Sequence, residues 1–507
     1  MYAAILDGWK LAYGVLGVLI TAEICTIIYN IYFHPLRHFP GPFWRRASRL
    51  PFALAAFRAR QTAEIVRLHQ KYGRIVRIGP NHLSFTDAQA WKDIYGHRTG
   101  SHDVPEHPKA ETFYQGIPGI SRHIINAGRE EHSLLRRGLA HGFSDKAIRS
   151  QEVLVAHYVD LLLERLHENC ASGNVPIEMV KWYNWTTFDI IGDLVFAESF
   201  GCLEEQRFHP FVYMILDSIR FSGFGLGFNY LGLHAIVATM ASLGSFQRAF
   251  YILLQGLRAK IQKRLDNPVV RNDLFEGLVK RRKDWNLDMS KLEINAAILV
   301  VAGSETTATI LSGVTYLLLQ NPAALDKVTR EVRSAFASAD EINFTSVNKL
   351  TYMVACLSEA LRRYPPVPAN MVRSVVGSGG SKSAVIAGHV VPAGTMVEVG
   401  QWAMNHDEEY WHDPWMYRPE RFLDGGDGDE KSGQRDLIDA LQPFSYGPRN
   451  CIGRNLAYAE MRLILARVLF DFDLRLDDSS KGWAERQKAN SLWIKLPLNV
   501  YLTPVAH

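Results

Sequence analysis

The ten residues Phe444-Ser445-Tyr446-Gly447-Pro448-Arg449-Asn450-Cys451-Ile452-Gly453 present one cysteine as a metal ligand rather than a core filler. Gly447 and Gly453 allow a tight turn and close backbone approach on either side of the sulfur. The apolar periodic run from Leu456 to Phe470 predicts a helix leaving the loop. A thiol just before a helix N-terminus loses its proton more readily. Arg449 adds a cation whose fork suits carboxylates, and Phe444 is an apolar wall that keeps water off the sulfur.

A second group, Ala302-Gly303-Ser304-Glu305-Thr306-Thr307, lies within an otherwise apolar run. Ser290-Lys291-Leu292-Glu293 reads as a capping box that starts a helix there. Asn321-Pro322 ends it after about 30 residues, or roughly 45 Å. Gly303 costs ~1 kcal/mol of helix stability relative to alanine, and its missing Cβ predicts room for a ligand or water beside the backbone. Glu305 and Thr306 place an acid and a hydroxyl next to that gap, which is what proton delivery to a reacting group requires. Farther on, Glu359 and Arg362 share one helix face at i and i+3, followed by Pro365-Pro366 and, downstream, Pro419-Glu420-Arg421-Phe422.

The spacing Phe-x-x-Gly-x-Arg-x-Cys-x-Gly resembles the signature loop of the cytochrome P-450 family, the haem-thiolate monooxygenases. Five fixed positions in ten arise by chance in about one in several million windows. The resemblance covers nearly the whole chain, with its motifs in the family's order. It implies a mainly α fold with small β-sheets behind an N-terminal transmembrane helix, and haem b between the long helix and the cysteine loop. On the same basis Cys451 ligates the iron, and Glu305 and Thr306, beside Gly303, form the acid-alcohol pair. Arg136, Arg373 and Arg449 hold the propionates, with His132 standing where the family usually has tryptophan. Phe444 and Gly453 shape the loop, and Glu359, Arg362 and Arg421 form a buried structural triad. Val367, Ala369 and Asn370 are implied as pocket wall. The run from His132 to Ser144 resembles enzymes of fungal secondary metabolism, such as isotrichodermin hydroxylase. The implied substrate is a hydrophobic small molecule, a terpenoid or polyketide intermediate, with a fatty acid, sterol or aromatic acid as the alternative.

These groups need a large scaffold, and 507 residues with 47% apolar content can bury one without disulfides. Five cysteines without CxxC spacing argue against a disulfide framework or a zinc site. They fit a reducing compartment. A net charge of +4 gives no argument for nucleic acid. No linker-like stretch or internal repeat divides the chain, so the expected organisation is a membrane anchor (1–33), a proline-rich hinge (34–48) and one catalytic domain (49–507).

Within the anchor, Leu11 to Phe33 is long enough to cross the hydrocarbon core. Arg37, Arg45, Arg46 and Arg49 follow it, against Lys10 alone before it, which places the catalytic domain on the cytosolic side. Glu23 sits near the centre of the span, where an acid is costly. The expected location is the endoplasmic reticulum membrane, single-pass.

In the body, Thr62–Tyr72 reads as a helix, Arg74–Gly79 and His82–Phe85 as strands, and residues 98–128 as a long irregular loop. Phe221 to Phe228, apolar residues alternating with glycine, reads as a flexible loop and by resemblance as a lid over the access channel. Val385 to Val399 reads as a hairpin turning at Pro392-Ala393-Gly394.

The chain carries no GxGxxG turn and no flavin-binding domain, so electrons for a monooxygenase must come from a membrane-bound NADPH–cytochrome P-450 reductase, with O2 as co-substrate. Arg137, Lys146 and Arg454 are candidates for its docking face. Two other readings stand beside this one. A haem-thiolate isomerase or dehydratase would need no external electrons and typically lacks the acid-alcohol pair. A haem sensor or carrier would need neither that pair nor a lid.

Overall fold

The computed structural model describes residues 2–98, 106–115, 121–242, 244–266, 271–369, 371–377, 381–423 and 436–506. Parts of the loop expected at 98–128, and Asn370 of the expected pocket wall, lie outside them.

Eight helices matter for the site: α1 (Tyr2–Ile28), α2 (Leu50–Phe57), α3 (Arg129–Ala140), α4 (Met179–Phe196), α5 (Pro210–Tyr230), α6 (Met289–Leu319), α7 (Thr351–Arg363) and α8 (Arg454–Asp471). The 31-residue α6 is the spine, buried along most of its length because α4, α7 and α8 pack against it on different sides. Its apolar residues belong to the largest core cluster, which also takes Leu194 of α4, Leu361 of α7 and Leu465 of α8. The cap differs from the expected box. Asp288 accepts the Lys291 N–H at 2.7 Å, while Glu293 pairs with Arg258 at 2.5 Å and Ser290 with Ser121 at 3.1 Å. An aspartate two residues upstream reaches the free N–H groups as well as serine does, which releases both box residues for tertiary contacts.

The β-structure is small. β1 (Ile75–Gly79), β2 (His82–Phe85), β3 (Arg373–Ser374), β4 (Ser383–Ile386), β5 (His389–Pro392) and β6 (Met396–Val399) form a four-stranded sheet in the order β1-β2-β6-β3 and a separate β4–β5 hairpin. The hairpin turns at Ala387-Gly388, both at positive φ (48° and 78°), and not at Pro392-Ala393-Gly394. Two successive left-handed residues match the twist of paired strands. The predicted turn at Gly394 instead carries the chain from β5 to β6 in the other sheet. Near the C-terminus β7 (Lys488–Ala489) pairs with β8 (Trp493–Ile494).

The Phe221–Phe228 run is helical, the interior of α5, and not a loop. A Cβ at Gly223 would lie 2.4 Å from Ala56 O, and one at Gly227 would lie 2.3 Å from Phe57 Cε1. The two glycines, at i and i+4, form one face of α5 that admits α2 at close range. That packing offsets the helix cost of glycine.

α1 runs into one wider π-turn, Tyr29–Phe33, and the stretch Tyr13–Phe33 is apolar and only 11% buried. The hinge region is packed: Leu36 and Phe39 are buried, and Phe43–Ala47 is a short helix. Arg77 of β1, fully buried, ties this corner together. Its Nε and Nη2 donate to Pro80 O at 2.9 and 2.6 Å, and its Nη1 to Asn30 O at 2.9 Å. Asn30 Nδ2 in turn donates to Ala47 O at 2.9 Å.

Candidate functional site

The cysteine loop is closed by its own backbone, with Cys451 N–H donating to Phe444 O at 2.9 Å. Gly447 sits at φ +74°, and a Cβ there would lie 1.9 Å from Tyr95 O, so both its conformation and its neighbour require glycine. Gly453 has an ordinary φ of −86°, and a Cβ there would make only ordinary contacts with Phe143 and the Cys451 sulfur. Phe444 packs on Tyr458 of α8 with ring centroids 5.0 Å apart.

Cys451 is an exposed residue, yet its sulfur lies deep enough that burial raises the thiol pKa. The Gly453 N–H, Arg136 and Arg454 pull the other way without prevailing. This reverses the expected easy deprotonation: desolvation outweighs the helix N-terminus. A bound metal, which deprotonates a coordinating thiol outright, is the agent that would make this sulfur a thiolate.

Cations gather beside the loop. Arg449 donates to Glu106 at 3.0 Å through Nε and to Ala127 O at 2.8 Å through Nη1. Arg136, on α3, clamps Asn450, donating to its O at 2.7 Å and its Oδ1 at 2.6 Å. Arg373, on β3, lies over the Tyr95 ring at 5.5 Å and donates to His107 O at 3.3 Å, while its buried Nε has no partner among the described residues. His132 is buried, and burial followed by Arg449 and Arg136 lowers its pKa to about 4. Lys109, not identified from the sequence, belongs to this group. Burial, then Arg373 and Arg449, holds its ammonium well below the ordinary value. It bridges to Arg373 through the backbone and lies 4.2 Å from the Tyr114 ring centroid. Its only sequence signal was membership of the irregular segment after Arg98.

The middle of α6 breaks its own pattern of burial. Ala302 is exposed and Gly303 and Thr306 are half-buried, while Ser304, Glu305 and Thr307 are buried. Thr306 Oγ1 donates to Ala302 O at 2.7 Å. The gap expected at Gly303 is filled from behind: a Cβ there would lie 2.6 Å from Ile191 Cδ1 of α4, so the glycine admits a neighbouring helix rather than a ligand. Glu305 is 3% exposed and paired with Lys495, just after β8.

The third group assembles in the core. Arg362 donates to Glu359 through Nε and Nη2, both at 2.7 Å, with neither side chain exposed. Its Nη1 donates to Asn405 O at 2.5 Å and Pro414 O at 2.7 Å. Arg421 stands 3.5 Å from Glu359, and its shortest ion pair is to Asp436 at 2.8 Å, a partner the sequence reading lacked.

Taken together, the donor set fits haem b. Cys451 supplies one soft sulfur on an exposed residue, and among the described residues Glu106 is the carboxylate that bears on Arg449, Arg373 and Lys109, which suits an acidic group held beside the loop.

A family model described as Cytochrome P-450 matches residues 41–502. The chain is 47% identical over 492 residues to a cytochrome P-450 monooxygenase of Talaromyces stipitatus, covering 96% of this chain and 94% of that one. It is 41% identical to the trichothecene C-15 hydroxylase of Fusarium sporotrichioides, covering 95% and 96% of the two chains. It is also 41% identical to the averantin hydroxylase of Dothistroma septosporum, covering 99% and 94%.

Proposed function

The chain belongs to the cytochrome P-450 family, whose members bind haem b through a cysteine thiolate, and from that premise we propose that Cys451 is the iron ligand of a monooxygenase acting in fungal secondary metabolism. Its substrate is a hydrophobic terpenoid or polyketide intermediate. What supports that class is the identity to the trichothecene C-15 and averantin hydroxylases. The observation carrying the assignment of the ligand is the exposed Cys451, held in its loop beside a group of cations that outnumbers its carboxylate partner among the described residues.

Bound haem supplies the iron at which O2 is cleaved, and thiolate ligation favours that cleavage. The protein's part is positional and electrostatic. The Cys451–Phe444 backbone bond and the Arg136 clamp on Asn450 fix the sulfur. Arg136, Arg373 and Arg449, with His132 and Lys109, would hold the acidic edge of the cofactor. The Thr306 hydroxyl, already committed as a donor to its own helix, passes protons inward from Glu305. Gly303 lets α4 close against α6 and so keeps water from entering behind the site. Glu359, Arg362 and Arg421 hold the scaffold.

Electrons come from a membrane-bound NADPH–cytochrome P-450 reductase, docking near the exposed Arg137, Lys146 and Arg454. The apolar Tyr13–Phe33 stretch anchors the chain in the endoplasmic reticulum membrane, with 1–33 as anchor, 34–48 as joint and 49–507 as the cytosolic catalytic domain.

The carbon monoxide difference spectrum of the reduced protein tests the ligand. A strongly red-shifted Soret band that is lost in Cys451→Ala is the expected result. Haem-loaded, folded wild-type protein without that band would remove Cys451 from the role. Turnover with reductase and a panel of terpenoid and polyketide intermediates then tests the substrate class.

A further inference from the structure

Lys495 lies outside every motif, yet its side chain is 4% exposed and its ammonium is ion-paired with Glu305, itself 3% exposed. The same Nζ donates to Thr309 Oγ1 at 2.8 Å, and Thr309 donates on to Glu305 O at 2.6 Å. One lysine therefore grips both the side chain and, through a hydroxyl, the backbone of the acid on α6. The grip is one-sided. Glu305 Oε1 takes the ammonium, while Oε2 is buried with no partner among the described residues. Thr306, one residue on, is bonded to Ala302 O.

Burial pulls the Lys495 ammonium below its ordinary value, and Glu305 opposes that shift. Two further ionisable groups bear on the pair: Tyr364, whose phenol is raised by burial and then by Glu305, and Glu178, which favours the charged lysine.

We propose that Lys495 is a positioning residue for oxygen activation: it anchors Glu305 through Oε1 in its ionised form and leaves Oε2 as the single atom through which the acid can receive a proton and hand it on. This rests on the reading of Glu305 as a proton donor to the site. The step makes and breaks only O–H bonds. A water admitted beside the buried carboxyl gives up a proton to Oε2; that Oε2–H bond breaks as the Thr306 oxygen takes the proton, and Thr306, releasing Ala302 O, passes its own hydroxyl proton on, with the electrons those of the reductase reaction. Without the ammonium, the carboxyl keeps its burial and loses its countercharge, so it becomes neutral and unanchored.

The experiment uses the membrane-bound holoprotein and two readouts. Infrared difference spectroscopy of Lys495→Met against wild type is expected to show a new buried, protonated carboxyl C=O stretch that vanishes in Lys495→Met combined with Glu305→Gln. Product formed per NADPH is expected to fall about tenfold in Lys495→Met, with KM unchanged. Lys495→Arg, which keeps the charge, is expected to restore both signals. If Lys495→Met yields too little holoprotein, Lys495→Gln carries the same test, since it keeps a donor for Thr309 without the charge.

No new carboxyl band, or wild-type coupling in a variant that shows the band, would overturn the proposal. If Glu305→Gln alone uncouples turnover while Lys495→Met does not, only the role of Lys495 falls. If Glu305→Gln is fully coupled, the proton-donor reading of Glu305 falls and takes this one with it.

Discussion

Glu359 and Glu305 are both buried, both on long-range scaffolding helices and both ion-paired, but they are finished differently. Glu359 takes a two-pronged bond from Arg362 and the Arg418 N–H at 3.0 Å, with Arg421 3.5 Å away, so both of its oxygens are hydrogen-bonded. Arg362 in turn spends its remaining donors on the carbonyls of Asn405, Pro414 and Met416. Glu305 meets a lysine, a point charge with no fork, and keeps one oxygen free. A carboxylate with both oxygens bonded to fixed donors holds structure. One with a free oxygen and a flexible cation has somewhere to put a proton.

Removing Glu359 should test that contrast hardest. Glu359→Ala leaves Arg362 fully buried with its charge uncompensated, a loss of about 3–5 kcal/mol. Holoprotein yield, read as the carbon monoxide spectrum per unit of expressed chain, should fall close to zero. Arg362→Lys keeps the charge but abandons the fork and the fan of carbonyl bonds, so a smaller drop of about 1–3 kcal/mol in denaturant stability is expected. Wild-type stability in Arg362→Lys would mean that the fork contributes nothing.

On the other side of the comparison, Thr306→Ala should leave stability within error, because the half-buried hydroxyl bonds only its own helix. It should divert reducing equivalents to peroxide, with product per NADPH down about tenfold. Unchanged coupling would remove Thr306 from the proton path.

A third buried carboxyl sharpens the distinction with the smallest effect. Glu460 of α8 has the Thr307 hydroxyl as hydrogen-bond partner, and burial raises its pKa from 4.5 to about 8. The folded state thus holds a proton that the unfolded chain releases in that interval. The associated stability is complete below pH 4.5 and is lost as pH rises through about 8. Glu460→Gln, neutral at every pH, should flatten that decline. Denaturant midpoints at the two ends of the interval measure it, and parallel slopes for both proteins would show that Glu460 is already ionised when folded.

The cysteine loop and the Glu359–Arg362 pair were legible in the sequence because each demands particular residue types at short, fixed separations. Gly447 has no substitute at φ +74° against Tyr95 O, and an i, i+3 pair needs only one helix. α5 was misread because its glycines are explained by Ala56 and Phe57, more than a hundred residues earlier, and a local pattern cannot report a distant surface. Gly303 was recognised as special for the wrong reason, since its space is taken by Ile191. Lys109 and Lys495 are single cations in aperiodic segments. Lys495 and Glu305 stand 190 positions apart, and nothing in the spacing of either announces the other. Long-range pairing by isolated side chains is the kind of information that only the assembled chain displays.

The Arg77 guanidinium carries one more consequence. By binding Asn30 O and Pro80 O at once, it rivets the end of α1 to the strand that begins the four-stranded sheet, and the same sheet ends at β3 with Arg373. The apolar N-terminal helix is therefore coupled to the body as a lever and not a tether. Whatever sets the tilt of that helix turns the sheet with it, so the helix and the body share one attitude rather than two joined by a slack leash.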